Sequence, residues 1–196
     1  MRIVAVSDLH LDETCRSALL RQAEAADLVI GAGDYAQNHE GLAGYLAPLE
    51  AIADKTLLVP GNNETLDALT AATSATVLHG TAVTRGGLTV AGLGGAVPPL
   101  PPNAWGSWDL TEADALAAME GIDRADILVC HAPPKGVADW HSEVGSYGST
   151  AIRALIERLR PRLFLCGHLH DSWGSRGRIG ETLVANLGPV PVWFEL

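Results

Sequence analysis

Cationic side chains are scarce in this sequence: 13 Lys and Arg stand against 23 Asp and Glu, for a formal charge of −10. A protein that tracks a long phosphate backbone needs a stripe of Lys or Arg to displace counterions, so this balance argues against a nucleic-acid partner. A small anionic substrate remains compatible where bound cations reverse the local field. Cysteine is scarce too. The three present, Cys15, Cys130 and Cys166, are odd in number, and the last two lie in apolar runs. They read as small buried hydrophobes in a reducing cytosol rather than as a disulfide framework. Long apolar stretches are missing: residues 3–6 are interrupted at Asp8, too soon for a signal peptide. Nothing approaches the roughly 18 apolar residues of a membrane span. A cytoplasmic location with no membrane partner is therefore expected. What is present, 47% hydrophobic and 18% charged residues over 196 positions, suits a single globular domain spanning 1–196.

Asp8-Leu9-His10 near one end is answered by Gly167-His168-Leu169-His170 near the other. Each pair places ligand-type side chains at alternate positions just past an apolar run, residues 3–6 or 163–166. On extended chain, residues i and i+2 project to the same side. Each pair is thus expected to face one site from the end of a buried strand.

Between them the chain alternates. Residues 2–6 read as a strand, and Cys15, Ala18, Leu19, Gln22 and Ala26 share one face of a helix. Residues 28–30 form the next strand, closing on Gly31-Ala32-Gly33-Asp34. Residues 41–53 fit a helix weakened by Pro48. A strand at 56–59 stops at Pro60-Gly61-Asn62-Asn63-Glu64, followed by a helix carrying Leu66, Leu69 and Thr73. A short strand at 76–78 precedes a hairpin of 82–84 with 88–91 through Arg85-Gly86-Gly87. The proline-rich stretch 96–108 is a stiff loop whose Trp105 and Trp108 either wall a pocket or pack the loop on the core. Thr111-Glu112-Ala113-Asp114 is a capping box ahead of a helix with Ala115, Ala118, Met119 and Ile122. The second half then repeats the order, with a strand at 126–130 ending at His131, a helix through Ile152, Leu155, Ile156 and Leu159, and a strand at 163–166 ending at the His pair. Strands at 182–187 and 191–196 close the chain, leaving Trp193 and Phe194 as core or interface. Strand and helix in alternation indicate an α/β fold.

Taken together, the strand-end loops supply Asp8, His10, Asp34, Asn62, His131, His168 and His170. Imidazole, carboxylate and amide oxygen without thiolate suit borderline divalent ions such as Mn, Fe or Zn. These are too many ligands for one ion. Two ions sharing a carboxylate would use them all.

The ordered blocks Asp8-Leu9-His10, Gly33-Asp34, Gly61-Asn62-Asn63-Glu64, His131 and Gly167-His168-Leu169-His170 resemble the calcineurin-like metallophosphoesterase superfamily across nearly the whole chain. The resemblance implies a four-layer αββα sandwich of two mixed sheets flanked by helices. It implies two divalent metal ions, Mn favoured: one held by Asp8, His10, Asp34 and His170, the other by Asp34, Asn62, His131 and His168. Asp34 would bridge, and Asp34, Asn63 and His170 are the positions expected to bear on the chemistry itself. Small bacterial members with stretches like His131-Ala132-Pro133-Pro134 and Asn186-Leu187-Gly188-Pro189 point to hydrolysis of a small phosphodiester, such as a cyclic nucleotide, by a metal-bridging hydroxide.

Asn63 departs from the pattern, because relatives usually carry a His there that protonates the leaving oxygen. An amide donates a hydrogen bond but is no acid near neutral pH, and general acid help is typically worth about 10²- to 10⁴-fold. His39 and His141 are candidates to replace it. Tyr35, Asn38 and Glu64 adjoin the motifs as substrate contacts or as loop structure. A phosphomonoesterase or protein phosphatase is the alternative within the enzyme class, although Thr65 stands where such phosphatases carry Arg. A non-catalytic interaction scaffold of the same fold is the alternative outside it.

Overall fold

The computed structural model describes residues 1–196 throughout. In chain order the elements are β1 (Arg2–Val6), α1 (Glu13–Ala23), β2 (Leu28–Gly31), α2 (Leu42–Leu46), a 3₁₀ segment (Ala47–Lys55), β3 (Thr56–Leu58), α3 (Leu66–Ala72), β4 (Thr76–Val77), β5 (Thr81–Arg85) and β6 (Leu88–Leu93). They continue with α4 (Glu112–Ala118), β7 (Ile127–Cys130), β8 (Trp140–His141), β9 (Gly145–Ser146), α5 (Thr150–Leu159), β10 (Leu163–Cys166), a 3₁₀ turn (His170–Ser172), β11 (Arg176–Ile179), β12 (Thr182–Asn186) and β13 (Val192–Glu195).

Two mixed sheets result, ordered β13-β1-β2-β3-β4 and β11-β12-β10-β7-β6-β5. The apolar strands are continuous rather than alternating because both faces of each sheet are covered. Ile3, Ala5, Leu28, Ile30 and Leu57 of the first sheet meet Val90, Ile127, Val129, Leu163 and Leu165 of the second in a shared inner layer. Their neighbours Val4, Val6, Val29 and Leu58 face outward against Leu19, Leu46, Leu49 and Leu69. On the other side Ala91, Leu128, Cys130 and Phe164 pack on Ala115, Met119, Ile152 and Ile156. The order of layers is therefore helix, sheet, sheet, helix, as the family resemblance implies. Each large aliphatic side chain fully buried in these layers contributes roughly 1.5–3 kcal/mol relative to exposure. No helix is long and apolar enough to cross a membrane. All three cysteines are unpaired, and Cys130 and Cys166 are buried.

Local chemistry explains the element ends. Asp12 caps α1 by accepting from the N–H groups of Thr14 and Cys15, and Ser149 caps α5 by accepting from Ile152. Thr111 caps α4 from the Asp114 N–H, while its hydroxyl donates to the Asp114 carboxylate. Gly86 and Gly87, both at positive φ, make the two-residue turn between β5 and β6. The helix expected over 41–53 is instead a short α2 that tightens into the 3₁₀ segment, with Pro48 in its first turn. Proline brings no N–H and its ring crowds the preceding turn, so the α ladder cannot run through it.

The hairpin β8–β9 and the edge strand β11 were not expected, being too short or too polar to show periodicity. Strand β13 returns to the first sheet and pairs antiparallel with β1, setting Ile3 opposite Phe194. Phe194 is core, whereas Trp193 is exposed and donates from its indole to Gln22.

Parallel pairing aligns Val6 with Gly31 and Gly31 with Leu58 in one sheet. In the other it aligns Leu93 with Cys130 and Cys166 with Asn186. The loops that follow β1, β2, β3, β7 and β10 consequently leave from the same end of the sandwich, the carboxyl ends where open α/β sheets bind ligands.

Candidate metal centre

Four of the candidate ligands sit where backbone geometry is strained. Asp8, His10, Asp34 and His168 have φ of 54°, 41°, 60° and 68°. Left-handed backbone at a non-glycine residue costs on the order of 1–3 kcal/mol and persists only when its surroundings fix it. Here the loops after β1 and β2 are laced together: the N–H groups of Asp8, His10 and Leu11 donate to the carbonyls of Gly33, Asp34 and Tyr35 at 2.9, 3.0 and 3.1 Å.

The pairing of alternate residues on extended chain, expected from the sequence, is not how these side chains are aimed. Asp8 and His10 lie past the end of β1 in left-handed turns. The two histidines of Gly167-His168-Leu169-His170 diverge: His168 Nδ1 faces Asn62 Oδ1 at 3.0 Å, while His170 Nε2 lies 3.3 Å from His10 Nε2.

All seven expected ligand residues nonetheless converge. Ligand atoms of Asp8, His10 and His170 lie within 4.8 Å of one another, as do those of Asp8, Asp34 and His131. Asp8 is common to both groups, and Asp34 Oδ2 reaches the first through His10 Nε2 at 3.6 Å. Asn62 joins the second group through His131 Nε2, 3.0 Å from its Oδ1.

The tautomers make this arrangement a test for a cation. His131 Nδ1–H is committed to the Ala32 carbonyl at 2.8 Å, so its Nε2 faces Asn62 Oδ1 at 3.0 Å and Asp34 Oδ2 at 3.4 Å. The Asn62 amide NH₂ donates to Ser107, which fixes its oxygen inward. Neither Asn62 Oδ1 nor the Asp34 carboxylate can donate, so the lone pairs that meet here are stabilised by a proton or by a cation. Protonation behaviour expresses the same demand. Burial disfavours the His131 imidazolium, but Asp34 and Asp8 outweigh it and raise the ring to about 9. Burial also works against ionised Asp34, yet His131 holds that carboxyl well below the usual range. His168, pushed down to about 3 by burial and by the neighbouring His131 charge, is a neutral ring with a free lone pair. Once a cation takes the place of the His131 proton, the donor set of imidazoles, carboxylates and one amide oxygen fits divalent ions of the Mn, Fe or Zn type.

Several neighbours hold the centre without joining it. Glu64 is fully buried; its Oε1 accepts from the N–H groups of Asp34 and Gly61, its Oε2 from those of Tyr35 and Ala36. It staples the loops after β2 and β3 to each other rather than meeting substrate. Tyr35 is likewise internal, with its hydroxyl donating to the Val59 carbonyl and accepting from the Gly33 N–H. Asn63 donates to both Asp34 oxygens, from its backbone to Oδ1 and from its side chain to Oδ2, each at 2.8 Å. Its own oxygen accepts the Asn38 N–H, so its amide is spent on orienting Asp34. Gly61 must be glycine, since a Cβ there would overlap the Asp34 carboxylate and backbone N–H.

A residue not anticipated from the sequence is Trp173, whose indole N–H donates to Asp8 Oδ2 at 2.9 Å and whose ring lies 4.3 Å from that of His170. Its position three residues after His170 was the only available signal.

A cleft of about 660 Å³ opens over the centre, lined at its base by Asp34, Asn62, His168 and His170. Its walls include His141 and Tyr147 of the β8–β9 region and Leu100 and Pro101 of the proline-rich loop. Of the two spare histidines, His141 thus faces the cleft. His39 lies outside the lining and is tied to the Gly106 carbonyl. Neither Trp105 nor Trp108 lines the cleft; their rings pack against His39 and His79.

The family described as the calcineurin-like phosphoesterase superfamily domain matches residues 1–195. No curated protein matches the chain by sequence. Among solved structures, TT1561 from Thermus thermophilus is 19% identical, with a TM-score of 0.75 over 95% of this chain and 88% of that one. A dimetal phosphatase from Danio rerio is 11% identical, with a TM-score of 0.60 over 97% and 88% of the two chains. A phosphopantetheinyl hydrolase from Mycobacterium tuberculosis is 15% identical, with a TM-score of 0.56 over 95% and 89%. At these identities the likeness is one of fold.

Proposed function

The chain belongs to the calcineurin-like phosphoesterase superfamily, and from that premise we propose that it is a two-metal-dependent hydrolase of a small phosphodiester. The observation that carries this reading is the convergence of Asp8, His10, Asp34, Asn62, His131, His168 and His170 beneath one cleft, with lone pairs facing lone pairs. We assign Asp8, His10, Asp34 and His170 to one ion and Asp34, Asn62, His131 and His168 to the other, with Mn the favoured metal.

Divalent ions bound there would lower the pKa of a water and neutralise phosphoryl oxygens. The protein's own contribution is orientation. Nδ1–H bonds to the Ala32 and Ala36 carbonyls turn His131 and His10 so that Nε2 is the free nitrogen. Asn63 and Trp173 fix the rotamers of Asp34 and Asp8, and Glu64 holds the loops that carry them. With Asn63 turned toward Asp34, the proton for the leaving oxygen comes from the cleft side or from solvent. An acid-poor site is best matched to leaving groups that need little protonation, so turnover should depend steeply on the leaving group. The three unpaired cysteines suit a reducing compartment, and the cytoplasm is the location we propose for this single domain of residues 1–196.

Metal-loaded protein should hydrolyse an activated aryl phosphodiester faster than the matching monoester, and Asp34→Asn should abolish both activities. Turnover that survives Asp34→Asn refutes the assignment. A faster monoester rate favours the phosphomonoesterase alternative.

A further inference from the structure

The cleft over the centre has a sharply divided lining. It includes Asp34, Asn62, His168 and His170 of the centre, and no Lys or Arg lines it anywhere. Away from the centre it presents apolar surface from Leu100, Pro101 and Val144, the rings of His141 and Tyr147, and two exposed carboxylates, Glu143 and Asp171. Lys135, at the foot of the β8–β9 region, is not part of this lining, and its ammonium donates to the Ser146 carbonyl.

This wall is not a loose flap. Ser172 accepts from the Trp140 N–H at 2.8 Å and donates to the Trp140 carbonyl at 2.9 Å, and Asp171 accepts the Ser142 N–H at 2.8 Å. Asp139 gathers the N–H groups of Gly136 and Gly148 at the other end, and Asn186 donates to the Ala138 carbonyl. The hairpin backbone is thus fastened to the residues just after His170, which keeps Glu143 and Asp171 on the cleft rim. Like charges on a rim without Lys or Arg repel further anionic groups on a substrate, while the apolar wall favours hydrophobic ones.

We propose that the outer cleft selects phosphodiesters whose second alcohol is uncharged and apolar or carries a cation, and rejects those bearing an additional anionic group. This rests on the phosphodiesterase reading and deepens it. The reaction itself is ordinary hydrolysis. A P–O bond forms to the oxygen of water, the bond to the leaving alcohol breaks with its electron pair on that oxygen, and the water's proton ends on the alcohol.

Three p-nitrophenyl diesters test this, alike in their leaving group and differing only in the second alcohol: choline, propanol and 3-hydroxypropionate. The choline and propyl esters should be turned over with kcat/KM at least about tenfold above the carboxylate ester. The Glu143 carboxylate takes no part in the hairpin's hydrogen bonds, so Glu143→Lys keeps the wall while reversing its charge. It should cut the choline-to-carboxylate ratio by about tenfold, the scale expected of a two-unit charge change at an exposed rim. Equal rates for the three esters in the native protein, or a ratio unmoved by Glu143→Lys, would overturn the selectivity while leaving the hydrolase reading intact. Release of p-nitrophenol from none of the three by metal-loaded protein would overturn both.

Discussion

Replacing Glu64 by glutamine separates a structural staple from a catalytic group. The variant keeps the side-chain volume and removes the charge from a carboxylate with no exposed surface. That carboxylate accepts four backbone N–H groups, from Asp34, Gly61, Tyr35 and Ala36, at 2.8, 2.6, 3.1 and 3.1 Å. In glutamine one oxygen becomes an NH₂ that can only donate, so two of the four lose their acceptor in a buried place. Each such donor costs about 1–3 kcal/mol, a gross loss of about 2–6 kcal/mol. An opposing contribution exists, since burial and the nearby Asp34 charge lift the Glu64 carboxyl to about 7 and the substitution removes that strain. A net loss of about 2–4 kcal/mol is expected, read from urea unfolding with and without the substitution. Amide exchange should accelerate locally at residues 34–36 and 61, where the acceptors were lost. A change below about 0.5 kcal/mol with unchanged exchange at those amides would refute the staple, because that is the size of an ordinary surface substitution.

Two further outcomes follow from the same geometry. Mn, Fe or Zn at about a hundredfold excess over its dissociation constant should stabilise the fold by about 2.7 kcal/mol, a rise of roughly 5–10 °C in Tm that EDTA reverses. If none of the three ions moves Tm, the converging lone pairs are satisfied by a proton alone. Glu112, at the start of α4, accepts from the Ser149 hydroxyl and the N–H groups of Thr150 and Ala151 at the start of α5. Burial would raise its carboxyl, but these bonds outweigh burial and lower it below the ordinary value. A depressed folded-state pKa contributes stability that is complete above the unfolded value, about 4.3, and is lost as pH falls through the folded one. The difference in urea midpoint between native protein and Glu112→Gln should therefore be constant above pH 6 and shrink below pH 4; a difference independent of pH would exclude the carboxylate as its source.

Much of this molecule was legible because its signals are local. Continuous apolar runs at 3–6, 28–30, 127–130 and 163–166 declare strands buried on both faces, and a polar, ligand-type residue just beyond each run declares where those strands end. The Thr111 cap and the Gly86-Gly87 turn follow from side-chain and backbone chemistry within a few residues. What escaped were features that depend on distant partners. The β8–β9 hairpin has two residues in each strand and exists because Ser172 and Asp171 fasten it. Trp173 finds Asp8 across 165 positions of sequence, and Glu64 finds its four donors only once two loops are side by side. The reading of Asp8 and His10 as an extended pair reached the right residues by the wrong geometry, since period-two alternation stops where β1 stops.

The backbone past β1 sets how the centre is built. Asp8 and His10 do meet at one cluster with His170, but from left-handed turns rather than extended chain, and the left-handed backbone at Asp34 and His168 brings further side chains into the same few ångströms. Such backbone is costly alone, and it is held by bonds that do not themselves touch a ligand: Asp8 N–H to Gly33, His10 N–H to Asp34, and the Glu64 staple beneath. Asn63 belongs with these supports. Both Asp34 oxygens accept from it, and its own oxygen secures Asn38, itself at positive φ, so the amide completes a bonded ring around the strained loop. An acid at this position would have to leave that ring to reach a leaving group, whereas an amide can stay in it. Asn63 thus supplies rigidity to Asp34 and no acid from its own position, which leaves His141, on the wall above, as the spare histidine that faces the cleft.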